Sequence, residues 1–283
     1  MTKYHIKKDG TRGVCTATVR PCPRGGAAQH FENPEDLDKA IDGMNERAAA
    51  GTFAISAVNG KIAMDDRTKK SIRDLTSAQV NIKKIENTVK VMKDQVREVL
   101  VSADVKSLKT EYGTLTVKDA SERKTVDIDK LKEAGLYNDY LKEINVKGHV
   151  AFRIDNDEDG SKMATLTTPE KFKLDFSSSD IITDEDGNAT LSENGNKIIS
   201  QLRELDLSTK ELAKKHKELR DELSEVLNEE GIENLHFGGS SWESIPEGTS
   251  ARVDVSRLKE DNIYDDYIRM VQVDSSLTAR WAK

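Results

Sequence analysis

The sequence predicts an α+β protein built mainly from two repeats, and three observations support this class. The string VDIDKLKEAGLYNDY at residues 126–140 returns as VDVSRLKEDNIYDDY at 253–267, at a constant separation of 127 residues. Upstream of each string, apolar residues recur with the heptad spacing of a long helix. Short alternating segments around glycines indicate strands. We therefore expect two repeats, each a long helix followed by a small mixed α/β module, behind a small N-terminal hairpin and helix.

The composition favours long solvated helices with small cores. Charged residues make up 34% of the 283 residues, hydrophobic residues 36% and aromatic residues only 5%. No apolar run approaches the roughly 18–20 residues that a membrane span requires, and the N-terminus lacks the apolar core of a signal peptide. We expect a cytoplasmic protein. Its two cysteines are too few for a disulfide scaffold, so they are free thiols or metal ligands.

The net charge of −7 is unevenly distributed along the chain. Residues 70–154 carry a net charge of +4, residues 155–196 carry −8, and residues 197–283 carry −5. The chain as a whole lacks the excess of basic residues that is typical of nucleic-acid-binding proteins. Any contact with nucleic acid is therefore expected to be local and to involve the basic block.

Residues 1–52 form the first predicted module. Asp9-Gly10 is the expected turn of a hairpin spanning residues 3–19, since this dipeptide is a strong hairpin signal. The helix that follows is expected to begin with Asn33 as N-cap and Pro34 in the first turn. The module is thus predicted to be a hairpin followed by a helix.

Zinc is the one cofactor that the sequence suggests. Cys15, Cys22 and His30 are zinc-type ligands at suitable spacing. A two-residue turn at Asp9-Gly10 would pair His5 with Val14 and place His5 on the sheet face opposite Cys15, which argues against His5 as a ligand. A packed knob without metal is the favoured interpretation, with zinc as the alternative, and otherwise no cofactor is expected.

The first predicted repeat covers residues 62–154. Its heptad seam predicts a helix of roughly 30–35 residues, or about 50 Å. Two short strands are expected around Gly113, then a short helix with Asp127 near its N-cap, then a final strand-like segment. The seam residues are Leu75, Ala78, Ile82, Ile85, Val89, Met92, Val96 and Val99.

The second predicted repeat covers residues 197–283. Laid over 126–154 without a gap, residues 253–281 give ten identities. Because a lone amphipathic helix would expose its seam, we expect the two repeats to pair as an intramolecular pseudo-dimer, with His216 in the seam as a polar register device. The seam residues are Leu202, Leu205, Thr209, Leu212, His216, Leu219, Leu223 and Val226.

The acidic segment 155–196 is the predicted linker between the repeats. Asp155, Asp157, Asp159 and Gly160 match the first half of a calcium loop, but the position that needs a bidentate Glu is Leu166. A solvated acidic turn is the favoured interpretation. A small hairpin is expected around Asp186-Gly187.

Two resemblances follow from these motifs. The pattern GVCxA, CPxGG and HF at residues 13–31 resembles an N-terminal module of actinobacterial phage and prophage proteins. The order of heptad helix, strand pair, VDxxxLK and YxxY is similar to the Gam-like host-nuclease inhibitors of siphophages. That resemblance implies pairing through long helices and binding of double-stranded DNA ends, which blocks exonucleases. The two copies, the extra N-terminal module and the acidic second copy depart from the family pattern.

The sequence contains no recognisable catalytic constellation, so we expect a non-enzymatic protein without a small-molecule substrate or membrane partner. The first hypothesis is a phage-encoded DNA-associated or nuclease-inhibiting protein. The alternative is a protein-interaction, anti-defence or virion-associated scaffold, in which Tyr137, Tyr140, Tyr264 and Tyr267 are interface anchors or simply pack on their own modules. The candidate phosphate contacts are Lys83, Lys84, Lys90, Lys93, Lys118, Arg123 and Lys124.

Overall fold

A computed structural model of the chain has the predicted α+β class. It describes residues 2–18, 22, 24, 26–49, 51–154, 172–185 and 188–282. The chain divides into two compact units, and each takes segments from both predicted repeats. Unit 1 comprises Met1–Lys83, Lys147–Thr167 and Glu211–Gly248, and unit 2 comprises Lys84–Val146, Thr168–Lys210 and Thr249–Lys283.

The N-terminal part of unit 1 contains two hairpins around one helix. The Asn33 side chain accepts a hydrogen bond from the Glu35 amide at 2.9 Å, which confirms the predicted helix start. The second hairpin was not predicted, although Asn59-Gly60 is a favoured turn pair and both residues have positive φ. The elements are β1 (Tyr4–Ile6), β2 (Arg12–Val14), α1 (Pro34–Ala48), β3 (Ile55–Val58) and β4 (Lys61–Met64).

The register of the first hairpin differs from the prediction by one residue. The Lys7 amide donates to the Thr11 carbonyl at 2.7 Å, and Gly10 has a φ of 81°, as in a three-residue loop that ends on a left-handed glycine. His5 therefore pairs with Gly13 instead of Val14. Because side chains alternate between faces, this single step brings His5 to the face of Cys15, and the predicted exclusion of His5 is wrong.

From the long helix onward, each helix and strand of the first predicted repeat recurs 127 residues later with the same bounds. The first repeat contains α2 (Asp66–Ser102), β5 (Ser107–Thr110), β6 (Gly113–Lys118), β7 (Ser121–Val126), α3 (Ile128–Glu133), β8 (Leu141–Val146) and β9 (His149–Ile154). After a hairpin of β10 (Ile181–Thr183) and β11 (Ala189–Leu191), the chain forms α4 (Glu193–Glu229), β12 (Asn234–Phe237), β13 (Ser240–Ile245), β14 (Gly248–Val253), α5 (Val255–Glu260), β15 (Ile268–Val273) and β16 (Ser276–Trp281).

The long helices and the short caps agree with the sequence-based expectations. Both α2 and α4 have 37 residues, slightly more than expected. The Asp127 side chain accepts from the Lys130 amide, and that of Asp254 accepts from the Ser256 amide, so both predicted N-caps are confirmed. The hairpin β10–β11 is present as predicted, whereas its turn at 186–187 and the calcium-like motif at 155–166 lie outside the described residues.

Strands of one predicted repeat pair with strands of the other. In unit 1 the three-stranded sheet has the order β12-β13-β9, with Trp242 opposite Phe152. In unit 2 the corresponding sheet has the order β5-β6-β16, with Leu115 opposite Ala279. Unit 2 also contains the pairs β7-β15 and β8-β14. The registers of the two three-stranded sheets are the same after a shift of 127 residues.

In each unit, one face of the three-stranded sheet packs on antiparallel segments of α2 and α4. The core of unit 1 includes Ile72, Leu75, Leu223, Leu227 and Trp242. Along the predicted seam, Leu212 and Leu219 are exceptions, since 45% and 36% of their surfaces are exposed. The core of unit 2 includes Val96, Leu100, Leu108, Leu115, Ile199, Leu202 and Leu277.

A search of the described helices finds none that is both long and apolar enough to span a lipid bilayer.

Candidate functional site

The outer face of the sheet β5-β6-β16 in unit 2 is rich in cations and hydroxyl groups. Because strand residues alternate, Leu108, Leu115 and Leu277 point into the core while their neighbours point outward. We call the outward set the cationic face. It consists of Ser107, Lys109, Thr114, Thr116, Lys118, Ser276, Thr278 and Arg280.

Register places the three cations of this face at defined positions. Lys109 and Arg280 both lie opposite Thr114, one on each side of β6, so their backbones are about 10 Å apart. Lys118 lies opposite Ser276 at the far end of β6, about 13 Å along the strand from Thr114. The three positions therefore span a surface as large as several phosphate groups of a nucleic-acid backbone.

The charges of the cationic face are not neutralised locally. Lys109, Lys118 and Arg280 are exposed, and none of them forms an ion pair with another described residue. The nearest acid in sequence, Asp119, pairs with Lys106 at 3.1 Å. Lysine, arginine and hydroxyl side chains are the groups that contact phosphates in protein–DNA interfaces, so this face can bind a phosphate backbone.

The structure disperses the seven cations predicted from the sequence. Lys118 lies on the cationic face, whereas Lys83, Lys84 and Lys90 are exposed along α2. Arg123 and Lys124 are exposed on β7. Lys124 pairs with Asp265 at 2.9 Å, and this hydrogen bond raises the lysine pKa. The predicted residues thus occupy a helix and two sheets instead of one patch.

Lys93, one of the predicted phosphate contacts, belongs to a partly buried ion pair. Its ammonium group donates to Asp206 at 2.7 Å, and the Asp206 carboxylate also accepts from Lys210 and from the indole Nε1 of Trp281, each at 2.7 Å. Burial on its own would raise the pKa of Asp206, but the three donors together lower it to about 2. We call this group the Asp206 network.

The four tyrosines lie in a small cluster of unit 2 that combines both predicted repeats. Tyr140 is buried there with Leu131 and Leu258, and the other three tyrosines are half-buried around them. The Tyr140 hydroxyl donates to Asp261 at 2.7 Å. These contacts join α3 and α5 within the chain, so the buried Tyr140 ring is not available as an anchor for an external partner.

His216 lies in the helix seam of unit 1, as predicted. It is buried, and its Nε2 group donates to the Leu75 carbonyl of α2 at 3.1 Å. Burial lowers the pKa of His216 because the charged imidazolium would lose its hydration. The hydrogen bond joins α4 to α2 at one fixed position, which suits a register device.

The predicted zinc ligands are only partly brought together. The ligand atoms of His5, Cys15 and Cys22 all lie within 4.8 Å of one another. His30 is not in this group, although its ring lies 5.5 Å from that of His5 between centroids. Sequence reasoning missed His5 because the assumed turn was one residue too short.

Sequence reasoning also missed Lys109 and Arg280 as members of the cationic face. Each occupies an outward position of a predicted strand, so the alternation of β5 and β16 was a usable signal.

Comparison with family models, with curated proteins and with solved structures finds no match to this chain.

Proposed function

We propose that the chain is a non-enzymatic protein that associates with double-stranded DNA through the cationic face of unit 2. The observation that carries this proposal is the set of three exposed, unpaired cations on a sheet face lined with hydroxyl groups. No strand residue of that face, all of which the structure describes, carries a carboxylate. Cations and hydroxyl groups of this kind are the groups that contact the phosphate backbone in protein–DNA interfaces.

The resemblance to Gam-like inhibitors supports a more specific role. A single-chain pseudo-dimer with paired long helices would present a DNA-binding surface without needing a second copy. The proposed role is phage-encoded inhibition of host nucleases at DNA ends, in the cytoplasm of the host cell. The lack of a recognisable catalytic motif in the sequence agrees with a blocking role, in which bound protein physically excludes an exonuclease.

The net negative charge of the chain means that binding to DNA must depend on the local cations. The net charge of −7 opposes approach to DNA at long range, so attraction must come from the local cations. Each phosphate contact is expected to contribute about −0.9 to the slope of log K against log salt concentration. Three contacts would therefore give a slope of about −2.7 and a binding that weakens rapidly with salt.

The decisive measurement is fluorescence anisotropy with open linear duplex DNA at about 50 and 200 mM salt, a range over which phosphate contacts lose much of their affinity. The triple variant Lys109→Gln, Lys118→Gln, Arg280→Gln should lose most of the affinity and most of the salt slope. Arg153→Gln is the matched control, because Arg153 occupies the position of Arg280 in the other repeat and pairs with Glu243 at 3.3 Å. That control should bind like the original chain.

Two outcomes would count against the proposal. If the original chain does not bind duplex DNA at the lower salt concentration, DNA association is wrong. If it binds a duplex with hairpin-capped ends as tightly as an open one and leaves exonuclease digestion unchanged, the nuclease-blocking role is wrong.

A second candidate function, binding of a protein target, is favoured by an apolar groove in unit 1. Leu212 and Leu219 are partly exposed there beside Phe53 and Ile82, in a cavity of about 370 Å³. Its occupant would be the apolar face of a helix from a host or virion protein. Leu212→Lys with Leu219→Lys should abolish that association, whereas Leu207→Lys, an exposed leucine of unit 2, should not. A target lost equally from both variants would contradict binding in this groove.

A further inference from the structure

The two cysteine sulfur atoms lie at a distance typical of shared metal coordination. Cys15 Sγ and Cys22 Sγ are 3.8 Å apart. A disulfide requires about 2.05 Å. Two thiolates on one tetrahedral zinc ion, with Zn–S bonds of about 2.3 Å, are separated by about 3.8 Å. The spacing of the sulfurs therefore matches an edge of a zinc tetrahedron.

His5 offers a third ligand in the correct tautomer. Its Nδ1 atom lies 3.0 Å from the Ile6 carbonyl oxygen, and since a carbonyl only accepts, Nδ1 must carry the proton. The lone pair is then on Nε2. Zinc-bound histidines commonly donate their other N–H to a backbone carbonyl, which fixes the tautomer and the ring orientation.

His30 has the same arrangement and an unsatisfied nitrogen. Its Nδ1 donates to the Gly26 carbonyl at 2.8 Å, and only 7% of its surface is exposed. Its Nε2 is buried and has no hydrogen-bond partner among the described residues. The ring packs edge-on against that of His5. A buried imidazole nitrogen normally finds a partner, so this one points to a missing ligand.

We propose that Cys15, Cys22, His5 and His30 form a structural zinc site in the N-terminal module. His30 is assigned as the fourth ligand because its buried Nε2 has no partner among the described residues and its ring lies 5.5 Å from that of His5 between centroids. On binding, the two thiols lose two protons, and the resulting thiolates balance the charge of one Zn²⁺ ion. Four protein ligands leave no open coordination position, so the site is structural and joins the β1–β2 hairpin to the segment that contains His30.

The test is metal analysis of the full chain purified without chelators. We expect one zinc ion per chain by mass spectrometry. Because the chain has only two cysteines, titration of both thiols with a mercurial should release that one ion, which a chromogenic chelator detects. Cobalt substitution should give the intense visible bands of a tetrahedral site with thiolate ligands.

Variants assign the individual ligands. Cys15→Ser, Cys22→Ser and His5→Asn should each weaken zinc binding by more than the 10- to 100-fold that a lost supporting hydrogen bond typically costs. His30→Asn should weaken it similarly and change the cobalt spectrum. His149→Asn, an exposed histidine outside the group, is the control and should bind zinc normally. Far-UV circular dichroism separates loss of metal from loss of fold.

Each remaining outcome would overturn part of the assignment. Sub-stoichiometric zinc together with two freely titrating thiols would refute the site. A Cys15–Cys22 disulfide in protein isolated under reducing conditions would assign the pair to redox chemistry instead. An unchanged cobalt spectrum for His30→Asn would remove His30 and leave a three-residue site.

Discussion

The sheets β12-β13-β9 and β5-β6-β16 have the same strand order and register but different outer faces. In unit 1, Glu243 occupies the position of Thr116 and pairs with Arg153. In unit 2, the arginine at the matching position, Arg280, has no ion pair with a described residue. A shared backbone therefore carries one face that is locally neutralised and one that is free to bind an anion. The difference depends on a few outward residues that the core does not constrain.

The inner faces differ as well. Trp242 packs on Phe152 in unit 1, with ring centroids 4.6 Å apart, where unit 2 has the smaller pair Leu115 and Ala279. The helix seams also use different polar groups, since unit 1 buries His216 and unit 2 buries Asp206. The two units thus achieve similar packing with different side-chain volumes and with polar groups that titrate in different pH ranges.

The largest expected effect tests the difference in core volume. Trp242→Ala should reduce the free energy of unfolding by about 3–5 kcal/mol, because it removes a fully buried indole and its hydrogen bond to Ser240. Leu115→Ala, at the matching position, should cost about 2–5 kcal/mol. Hydrogen exchange should localise each loss to its own unit. Protection lost equally in both units by either variant would show that the cores are not separable.

The Asp206 network should be the next most sensitive feature. Asp206→Asn should destabilise unit 2 by about 2–4 kcal/mol, because the Lys93 ammonium would lose its charged partner while partly buried. The folded pKa of about 2 lies below the ordinary value of 3.8, so this stabilisation is complete above pH 4 and is lost as the pH falls towards 2. The measurement is the pH midpoint of acid unfolding in the original chain and in Asp206→Asn. Asp221→Asn, which changes an exposed carboxylate, is the control. An unchanged acid midpoint in Asp206→Asn would contradict it.

His216 should make unit 1 sensitive to a milder acidity. Its folded pKa is lowered below 6.5, so the unfolded chain takes up the proton first and stability decreases as the pH falls below that value. His216→Val copies the residue at the matching seam position, Val89. It should remove this pH dependence while changing stability at neutral pH by about 1 kcal/mol. The control His149→Val should retain the decrease in stability at low pH. Loss of that decrease in His149→Val would contradict its assignment to His216.

The smallest expected effect concerns the outer faces. Arg280→Gln and Arg153→Gln should each change the free energy of unfolding by less than about 0.5 kcal/mol, since both arginines are exposed. Thermal unfolding measures this. A substantial loss in Arg280→Gln would mean that the arginine supports the sheet, and its effect on DNA binding would then need a different explanation.

Much of the fold followed from local sequence signals. Heptad spacing located α2 and α4, and Asn33, Asp127 and Asp254 marked helix starts because their side chains satisfy free amides at an N-terminus. The exchange of strands between the repeats could not be predicted in this way. The sequences of β9 and β16 are similar. The alternation of inward and outward side chains in β6 is therefore compatible with either strand as its partner, although the structure pairs it with β16.

The candidate sites depended on features that the sequence specifies weakly. The first hairpin has a three-residue loop instead of the expected two-residue turn, and this one-residue difference places His5 on the same sheet face as Cys15. The dipeptide Asp9-Gly10 is compatible with both turn lengths. Lys93 was indistinguishable from its exposed neighbours until its partner Asp206 was located 113 residues away. Long-range pairing, more than residue type, decided which predicted groups belong to a site.

The pairing of β6 with β16 also has a consequence for the order of events during synthesis. Roughly 160 residues separate these strands, and at about 5–20 residues per second the ribosome needs about 8–30 s to deliver the second after the first. During that interval β6 lacks its native partner, and its edge can pair with β9 or with another chain. Translation speed and chaperone capture should therefore influence the yield of native protein more than they would if each repeat completed its own sheet.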